Sequence, residues 1–583
     1  MSAPSLATAT RALPESRARL LVIACWFLLI LASMFAWLGS YPLFEPDEGR
    51  NAEVAREMVA TGDFTVPHLN GLPYVDKPAL YFSVVATSLR AFGLDEFAAR
   101  LPSLIFTIIT ALMIGWFGRR LWNSRVGAAA AAMTLSAPLA FGMSRVVILD
   151  SLFSMLVVGS LVGLYLAIEA RAAASAAQHA SGGSRRWSSF AWACIGLGIL
   201  TKGPVALMIP LAAGIPYAVR RRALPAVLFG PGVILASIVV APWVVQMSQA
   251  LPGYLHYVLV TETWARVSSD QLHRSEPFWF FVPVLVVGTM PWIGAAVAGV
   301  WSAIRGRSRT RLDHRLVFLA LWVVVPFVLF SLSRSKLPHY MLPLVPAVAL
   351  LAAAFMFDDT KPVPTGRPSG SVMLVTFGLA AIGAALFLRA GVRLDATALA
   401  AARTFFSIYG AAALAAGVAG LVAKPRGAAL VAVFSLPMIV AGFASGPLLK
   451  EAADDDSARE FARIITQRVP DHPIVIGVRA FPTSLPFYLR GPVQLSSTSG
   501  IESTSNYVHA KFDELLAAPG STLHDADWWR HELEDCRQQT FFVVQLINST
   551  AADRLTKAGL PLAATSRRYA LYGPCQPVAR TAE

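Results

Sequence analysis

The sequence predicts a polytopic α-helical membrane protein with about thirteen transmembrane helices, amphipathic helices in its first outer loop, and a C-terminal α/β domain. Hydrophobic residues make up 55% of the 583 residues and charged residues only 14%, whereas soluble proteins carry roughly a quarter charged residues. Most Arg and Lys residues lie in short segments between apolar runs, the pattern of positive-inside membrane proteins. The net charge of +14 therefore does not indicate a nucleic-acid-binding protein.

The first apolar run follows three arginines, Arg11, Arg17 and Arg19. At about 20 residues it is too long for the hydrophobic part of a signal peptide, and no small-residue cleavage site clearly follows, so we interpret it as a span that is retained. The predicted spans are 20–39, 101–117, 127–143, 147–168, 188–200, 203–218, 224–245, 278–303, 316–333, 339–357, 371–389, 404–422 and 428–447.

The loops between the spans alternate in charge. If the N-terminus is cytoplasmic, the inner loops are all rich in Arg and Lys: Arg119–Arg125, Arg171–Arg186, Arg220–Arg222, Arg305–Arg315, Lys361–Arg367 and Lys424–Arg426. The alternate loops are long and mixed in charge, as in 40–100 and 246–277, or very short. This alternation predicts a transmembrane domain over 1–447 and, with an odd number of spans, an outer domain over 448–583.

The first outer loop and the tail both predict regular structure. Residues 48–61 and the run from Asp76 to Gly93 have the pattern of two amphipathic helices at the membrane surface, the first with a charged face pointing away; that they merely cover the bundle is left open. The tail reads strand, helix, strand twice, in HPIVIGV, SLPFYLRG, PVQLSS and in TFFVVQL, STAADRLTKAGL, RRYALYG. Cys536 and Cys575 lie in this tail, and the sequence alone does not show whether they are disulfide-bonded.

Three carboxylates interrupt the apolar pattern at the outer ends of spans. Asp47 and Glu48 directly follow the first span. Adjacent residues cannot share one helix face, so one side chain should reach inward while the other starts the helix; capping and catalysis explain the pair equally well. Asp150 lies inside an apolar stretch, where a lone carboxylate needs a distant partner or a wet cavity, and this favours a functional role.

Basic residues on the outer side oppose the positive-inside trend. Lys202 lies between two spans with hardly any loop, and Arg334 and Lys336 follow a later span. A lipid-linked phosphate would compensate them, since phosphates are held by Arg, Lys and helix N-termini. Snorkelling to lipid headgroups explains one such residue well, but explains three in separate turns less well.

Aromatic residues and histidines are also frequent on the outer side. Most of the aromatics form an ordinary interfacial belt, but Tyr74, Tyr81 and Tyr340 are candidates to contact a sugar or a polyprenyl chain, and His339 and His273 lie on the same side. No spacing matches a structural metal site. We identify no certain cofactor, and the residues leave open whether a divalent metal ion takes part.

These groups outline an outward-facing cavity, which suits two classes of protein. One is a transferase that uses a lipid-phosphate-linked donor, and the other is a transporter of an anionic lipid. A transporter normally has ionisable groups near the middle of the membrane and two related halves. Because this chain has its groups at one face and shows no internal repeat, the enzyme is favoured.

The combination of segments resembles the GT-C membrane glycosyltransferases, and among them the bacterial lipid A aminoarabinose transferases. The segments are EPDEGRNAEVAREM, VDKPALYF, the stretch around Asp150, LTKGPVALMIP, EPFWFFVPVLVVGTMPW and SRSKLPHYMLPLVP. The resemblance implies a pentosyltransferase that takes 4-amino-4-deoxy-L-arabinose from undecaprenyl phosphate to a lipid A phosphate. The reaction would take place at the periplasmic face of the bacterial inner membrane and confer resistance to polymyxin and cationic peptides. In the tail only SLPFYLRG is similar, and weakly.

The resemblance also implies roles for residues. The family's acidic motif falls on Asp47-Glu48, its second acidic position on Asp150, and its Lys-Pro motif on Lys77-Pro78, with Asp76 where relatives often carry Glu. Negative charge develops on the departing polyprenyl phosphate, and cations including Arg50 and Lys77 would stabilise it.

A phosphate acceptor needs a general base less than a hydroxyl does, so Asp47 would act as base, orient the acceptor or hold an ion. Asp150 would position Asp47 or the amine of the sugar. We expect a single displacement with inversion. The alternative is another GT-C specificity, protein O-mannosyltransferase-like or lipopolysaccharide-modifying, in which Asp47 is a true base for a hydroxyl acceptor.

Overall fold

The computed structural model describes residues 15–177, 182–228, 231–264, 276–305, 313–357, 366–388, 396–470, 473–536 and 539–575. Arg11, His273 and Lys361, as well as parts of the predicted loops 246–277 and 305–315, lie outside these ranges. The helices before the tail are Glu15–Phe35, Asp47–Thr61, Leu80–Phe92, Glu96–Leu121, Ser124–Leu135, Pro138–Met143, Asp150–Ala177, Gly182–Lys202, Val205–Arg220, Pro225–Leu228, Pro231–Ala250, Tyr254–His256, the π-helix Tyr257–Trp264, Phe281–Gly288, Trp292–Arg305, His314–Leu332, the 3-10 helix Pro338–Leu344, Val345–Phe357, Gly366–Phe387, Ala396–Val422, Ala428–Ala444 and Gly446–Asp456.

The helical bundle has the length and composition of a membrane domain. In the described part of the chain, 7 helices are long and apolar enough to cross a membrane, or up to 9 if each of two bent helix pairs is one span. The 7 are Glu96–Leu121, Asp150–Ser175, Pro225–Ala250, His314–Leu332, Pro338–Phe357, Arg367–Phe387 and Ala396–Val422. The prediction of a polytopic helical membrane protein is confirmed.

The predicted number of thirteen spans includes runs whose helices are shorter or broken. The run 127–143 is divided between two helices because Pro138 starts a new one. The helix Val205–Arg220 has 16 residues and contains two prolines, which is short for a bilayer of about 30 Å. The number thirteen therefore stays a prediction.

The two ends of the bundle differ in chemistry. At one end Arg221 binds Glu169 through two nitrogens at 2.7 and 2.8 Å, and Arg315 donates a hydrogen bond to the carbonyl of Leu121. Arg221 also lies 3.1 Å from His314 Nε2, so the predicted inner loops around Arg221 and Arg315 meet at this end. At the opposite end the Asp150–Ala177 helix begins and the Gly182–Lys202 helix ends. The chain also leaves the bundle at this end, through the Gly446–Asp456 helix, and enters the tail.

The first outer loop contains both predicted helices. Gly62, with φ of +73°, ends the Asp47–Thr61 helix by donating its N–H to the Met58 carbonyl, as expected for a glycine C-cap. The prediction of an exposed charged face is wrong, because Glu53, Arg56 and Glu57 are all buried. Neighbouring segments satisfy them, since Arg56 pairs with Glu53 through two 2.7 Å bonds and both oxygens of Glu57 accept from the backbone of the following hairpin at 3.1 Å.

The hairpin consists of β1 (His68–Leu69) and β2 (Leu72–Pro73), and the remaining strands form a six-stranded sheet in the tail. Its strands are β3 (Ile474–Val478), β4 (Gln494–Ser496), β5 (Leu523–His524), β6 (Thr540–Gln545), β7 (Leu562–Thr565) and β8 (Tyr569–Tyr572). The order is β5-β4-β3-β6-β8-β7, parallel from β5 to β6 and antiparallel at β8 and β7. The tail helices are Arg459–Arg468, Leu485–Leu489, the 3-10 helix Ile501–Ser503, Asn506–Ala510, Phe512–Leu516, Trp528–Asp535 and Ser549–Lys557.

This sheet and its helices, here called the tail unit (residues 459–575), dock on the first outer loop. Glu45 accepts hydrogen bonds from the backbone and hydroxyl of Thr483 at 2.7 and 2.6 Å and from the backbone of Ser484 at 2.8 Å. Burial raises the pKa of Glu45, although these hydrogen bonds act in the opposite direction. A Cβ on Gly49 would lie 2.5 Å from Ser484 N, so only glycine permits this approach. Cys536 and Cys575 form a disulfide within the unit.

Candidate active site

A cavity of about 100 Å³, here called the polar cavity, opens where the tail unit meets the bundle. Six separate segments of the sequence line it. The lining residues are Asp47, Arg50, Asn51, Tyr74, Asp76, Lys77, Ile148, Leu149, Asp150, Lys202, Leu337, His339, Tyr340, Thr504 and Asn506. Nine residues proposed from the sequence lie together here: Asp47, Arg50, Tyr74, Asp76, Lys77, Asp150, Lys202, His339 and Tyr340.

Asp150 has partners from two other segments. Its carboxylate forms an ion pair with the Lys202 ammonium, and its second oxygen lies 3.5 Å from His339 Nε2. The same ammonium lies 4.6 Å from the centre of the Tyr340 ring, a favourable cation–π distance. Because a carboxylate at membrane level is costly unless it is paired, this arrangement explains how Asp150 is accommodated.

Asp47 and Glu48 lie in opposite environments. The side chain of Asp47 is 54% exposed and pairs with Arg50 one turn later. The side chain of Glu48 is 1% exposed and pairs with the fully buried Arg100. The carboxylate of Glu48 accepts from two nitrogens of Arg100 at 2.9 and 2.8 Å and from the backbone N–H groups of Phe44 at 3.0 Å and Val147 at 2.9 Å.

Glu48 therefore does not line the polar cavity, and its position does not support the expected catalytic role. Four donors engage its two oxygens, so it fixes the start of the first outer loop to the segment that leads into Asp150. Of the two adjacent carboxylates, only Asp47 is in reach of a ligand in the cavity.

Arg50 presents a cation to the polar cavity. Its guanidinium lies 5.9 Å from the centre of the Tyr74 ring. Burial lowers the pKa of Arg50, but Tyr74 and Asp47 raise it, and the net shift is upward. Within the described parts of the chain, its Nε is buried without a hydrogen-bond partner, so the protein does not use all the donors of this guanidinium.

Asp76 joins three segments at the edge of the cavity. One oxygen accepts from the Tyr257 hydroxyl at 2.7 Å and the Tyr507 N–H at 3.0 Å, and the other accepts from the Asn506 N–H at 2.7 Å. The adjacent Lys77 directs its ammonium to the Asp76 carbonyl at 2.6 Å and lines the cavity. Asp76 thus ties the tail unit to the first outer loop beside Lys77.

Three further candidates do not line the polar cavity. Tyr81 is fully buried, with its hydroxyl 3.2 Å from the Ser103 hydroxyl. Lys336 donates to the Glu276 carbonyl at 2.9 Å, and Arg334 is exposed on the same turn. These residues were predicted to bind a ligand only because they lie on the outer side of the membrane. That side does not determine where a side chain points.

Sequence reasoning missed Asn51, Thr504 and Asn506. Asn51 donates to the Val147 carbonyl at 2.8 Å. It directly follows Arg50 in the predicted helix, and this position was the weak signal in the sequence that could have identified it. Nothing in the sequence around Thr504 and Asn506 indicates a site, because only docking of the tail unit brings them to the cavity. Across the described ranges, no group of three or more His, Cys, Asp or Glu side chains is arranged to hold a metal ion.

Comparison with known proteins finds a matching family model and several similar proteins. A family model described as dolichyl-phosphate-mannose-protein mannosyltransferase matches residues 76–245. The undecaprenyl phosphate-alpha-4-amino-4-deoxy-L-arabinose arabinosyl transferase of Edwardsiella ictaluri is 33% identical over 340 residues, which cover 57% of this chain and 60% of that protein. The protein of the same name from Aeromonas hydrophila is 34% identical over 56% of this chain and 58% of its own length.

The match in structure extends further than the match in sequence. The chain spans about three-fifths of the length of these curated relatives. The crystal structure of ArnT from Cupriavidus metallidurans bound to undecaprenyl phosphate superposes with a TM-score of 0.78 at 24% identity, over 98% of this chain and 100% of that one. The chain thus has the fold of this ArnT, and over the matched region it is similar in sequence to the arabinosyl transferases.

Proposed function

We propose that this protein transfers 4-amino-4-deoxy-L-arabinose from undecaprenyl phosphate to a phosphate of lipid A, and so gives resistance to polymyxin and cationic peptides. The observation that carries the proposal is the polar cavity itself, which three aspartates and three Lys or Arg residues line at one end of the bundle. Relatives named for transfer of this sugar share about a third of their residues with the chain over the matched region.

We place the cavity and the tail unit at the periplasmic face of the bacterial inner membrane, after thirteen spans that start in the cytoplasm. The Arg-rich loops meet at the opposite end of the bundle, as the positive-inside pattern requires. The disulfide between Cys536 and Cys575 supports the placement, since disulfides persist mainly in oxidising compartments. Membrane lipids surround the bundle, and both substrates reach the cavity from the outer leaflet.

The cations of the cavity act on the leaving group. As the glycosidic bond breaks, negative charge grows on the undecaprenyl phosphate. Lys77 and Arg50 line the cavity in which that charge would develop, and preorganised cations of this kind lower the barrier by stabilising it. Lys202 already has a carboxylate partner in Asp150, so it contributes less charge to the phosphate and more to shaping the site.

Asp47 acts on the acceptor. It is half exposed, and its ion pair is with Arg50, one turn later on the same helix. It can therefore turn towards a substrate without breaking a buried contact. A lipid A phosphate is already nucleophilic near neutral pH, because its second pKa is about 6. Asp47 therefore orients the acceptor and takes up a remaining proton, and the reaction is a single displacement with inversion at the anomeric carbon.

The test is mass spectrometry of lipid A from a transferase-null Gram-negative host that still makes the donor. The host expresses this chain, its Asp47→Asn variant or an empty vector. We expect aminoarabinose-modified lipid A only with the unmodified chain. Absence of the modification from cells in which both proteins are folded in the membrane would refute the proposed sugar and acceptor.

The second candidate is a GT-C transferase for another polyprenyl-phosphate sugar with a hydroxyl acceptor. The family match over 76–245 favours it, because that family is named for protein mannosylation. In this case Asp47 would be a true general base. A transporter is the weaker alternative, since the charged groups that line the cavity lie at one end of the bundle. Radiolabelled polyprenyl-phosphate sugars offered with hydroxyl acceptors would identify the second candidate.

A further inference from the structure

Thr504 is an unusual residue of the polar cavity. It comes from the tail unit, directly after the 3-10 helix Ile501–Ser503, and it lines the cavity. Its φ is +57°, in the left-handed region that β-branched residues rarely adopt. In the part of the chain that the structure describes, its hydroxyl oxygen is buried and has no hydrogen-bond partner.

The surrounding contacts hold Thr504 in this conformation. On one side its N–H donates to the Ile501 carbonyl at 3.1 Å. On the other side the N–H groups of Asn506 and Tyr507 bind Asp76 at 2.7 and 3.0 Å, and the hydroxyl of Ser505 caps the next helix. Backbone strain of this kind persists only where neighbouring contacts fix it, and it is concentrated at functional sites.

The unpartnered hydroxyl of Thr504, like its strained backbone, indicates a functional site. Buried polar groups in native proteins almost always have a partner, and one without a partner destabilises the fold unless a ligand supplies it. Here the residue with the strained backbone also lines a cavity, and its buried hydroxyl has no hydrogen-bond partner within the described protein. Strain, missing partner and location are three separate observations, and all of them indicate that a ligand atom binds at this point.

We propose that the Thr504 hydroxyl forms a hydrogen bond with a hydroxyl group of the transferred sugar, so that the tail unit takes part in selecting the donor. This inference rests on the proposed function. A neutral hydroxyl both donates and accepts, as a sugar hydroxyl does. The phosphate of the donor is better matched by Arg50 and Lys77, which are charged and also line the cavity.

The test compares four residues at one position. Thr504→Ser keeps the hydroxyl without the branch, Thr504→Val keeps the branch without the hydroxyl, and Thr504→Ala removes both. We expect kcat/KM for the sugar-linked donor to fall ~3–10-fold in the Val and Ala variants, as for loss of one neutral hydrogen bond, and to stay near the original value in the Ser variant. Thr550→Val, on an exposed helix of the same unit, is the matched control and should change nothing.

A second measurement separates sugar from phosphate. Undecaprenyl phosphate without sugar should inhibit Thr504→Val and the original protein with the same inhibition constant, because it lacks the group that Thr504 contacts. Weaker inhibition of Thr504→Val would overturn the assignment to the sugar. Activity that follows the branch rather than the hydroxyl, or four equal activities, would overturn the inference while leaving the proposed function intact. An original chain that transfers no aminoarabinose would instead refute the proposed function.

Discussion

Asp47 and Glu48 are neighbours in the sequence, and we expect their isosteric amides to have opposite effects. Glu48→Gln keeps the size of the side chain but removes the charge that faces Arg100, and its amide NH2 would point at donors. Removing one partner of a buried ion pair costs about 3–5 kcal/mol, because the other charge stays buried without compensation. Asp47→Asn changes an exposed pair with Arg50, which is worth about 0–1 kcal/mol.

The effects on turnover should be reversed. Asp47 lies in the polar cavity and is proposed to act on the acceptor, so Asp47→Asn should lower kcat by about 100-fold or more, at the low end for an acid–base residue. Glu48 contacts no part of the cavity. Turnover of folded Glu48→Gln protein should stay within about fivefold of the original, a margin for small shifts transmitted through Val147 to Asp150.

Both quantities can be measured on protein purified into lipid nanodiscs. Thermal unfolding reports stability, and transfer of radiolabelled aminoarabinose to lipid A reports turnover per folded molecule. The double variant Glu48→Leu with Arg100→Met removes both buried charges and should recover part of the lost stability. If Glu48→Gln unfolds normally but loses turnover about 100-fold, the structural role given to Glu48 is wrong. If Asp47→Asn retains normal turnover, Asp47 is not central to the reaction.

Three further predictions concern the surroundings of the cavity. Lys202→Met should remove the ion-pair partner of Asp150 and lower kcat/KM at least about 10-fold, with partial recovery in Lys202→Arg; equal activity would show that the pair is not part of the site. Asp76→Asn should make the tail unit more sensitive to limited proteolysis and raise the donor KM, because three hydrogen bonds are weakened; an unchanged digestion pattern would contradict the docking role. Cys575→Ser opens a loop with a sequence separation of 39 residues and should lower stability by about 2–4 kcal/mol under oxidising conditions only; loss of the same size under reducing conditions would show that the thiol packing, not the bond, matters.

The parts of the fold that the sequence predicted well depend on local patterns. The helices of the first outer loop follow from apolar spacing and from Gly62, and the predicted tail strands follow from runs of β-branched and aromatic residues. β5 has only two residues, too few for any periodicity, and it is a strand only because β4 lies beside it. The exposed charged face predicted for Asp47–Thr61 was wrong because burial of Glu53 and Arg56 depends on neighbouring segments.

The sequence predicted which residues belong to the candidate site, but it did not predict which of them contact each other. Asp150, Lys202 and His339 each stood out as an ionisable residue where the membrane pattern disfavours one, yet they come from three segments, and no spacing shows that they meet. Thr504 did not stand out at all, since its chemistry is ordinary for a loop. Its significance depends on a backbone angle and a missing partner, which only the three-dimensional structure contains.

Solvent access, more than charge, separates the roles of the carboxylates near the first outer loop. Glu45, Glu48 and Asp76 are all buried and accept hydrogen bonds from backbone N–H groups. These hydrogen bonds join the loop to the bundle and to the tail unit. Asp47 is the half-exposed carboxylate, and it pairs with Arg50. A carboxylate already saturated with hydrogen bonds cannot reorganise when a substrate arrives, whereas an exposed one can exchange solvent for substrate at little cost. The buried carboxylates hold the walls of the cavity in place, and such rigid walls would let Asp47, in its proposed role, meet the acceptor in a defined geometry.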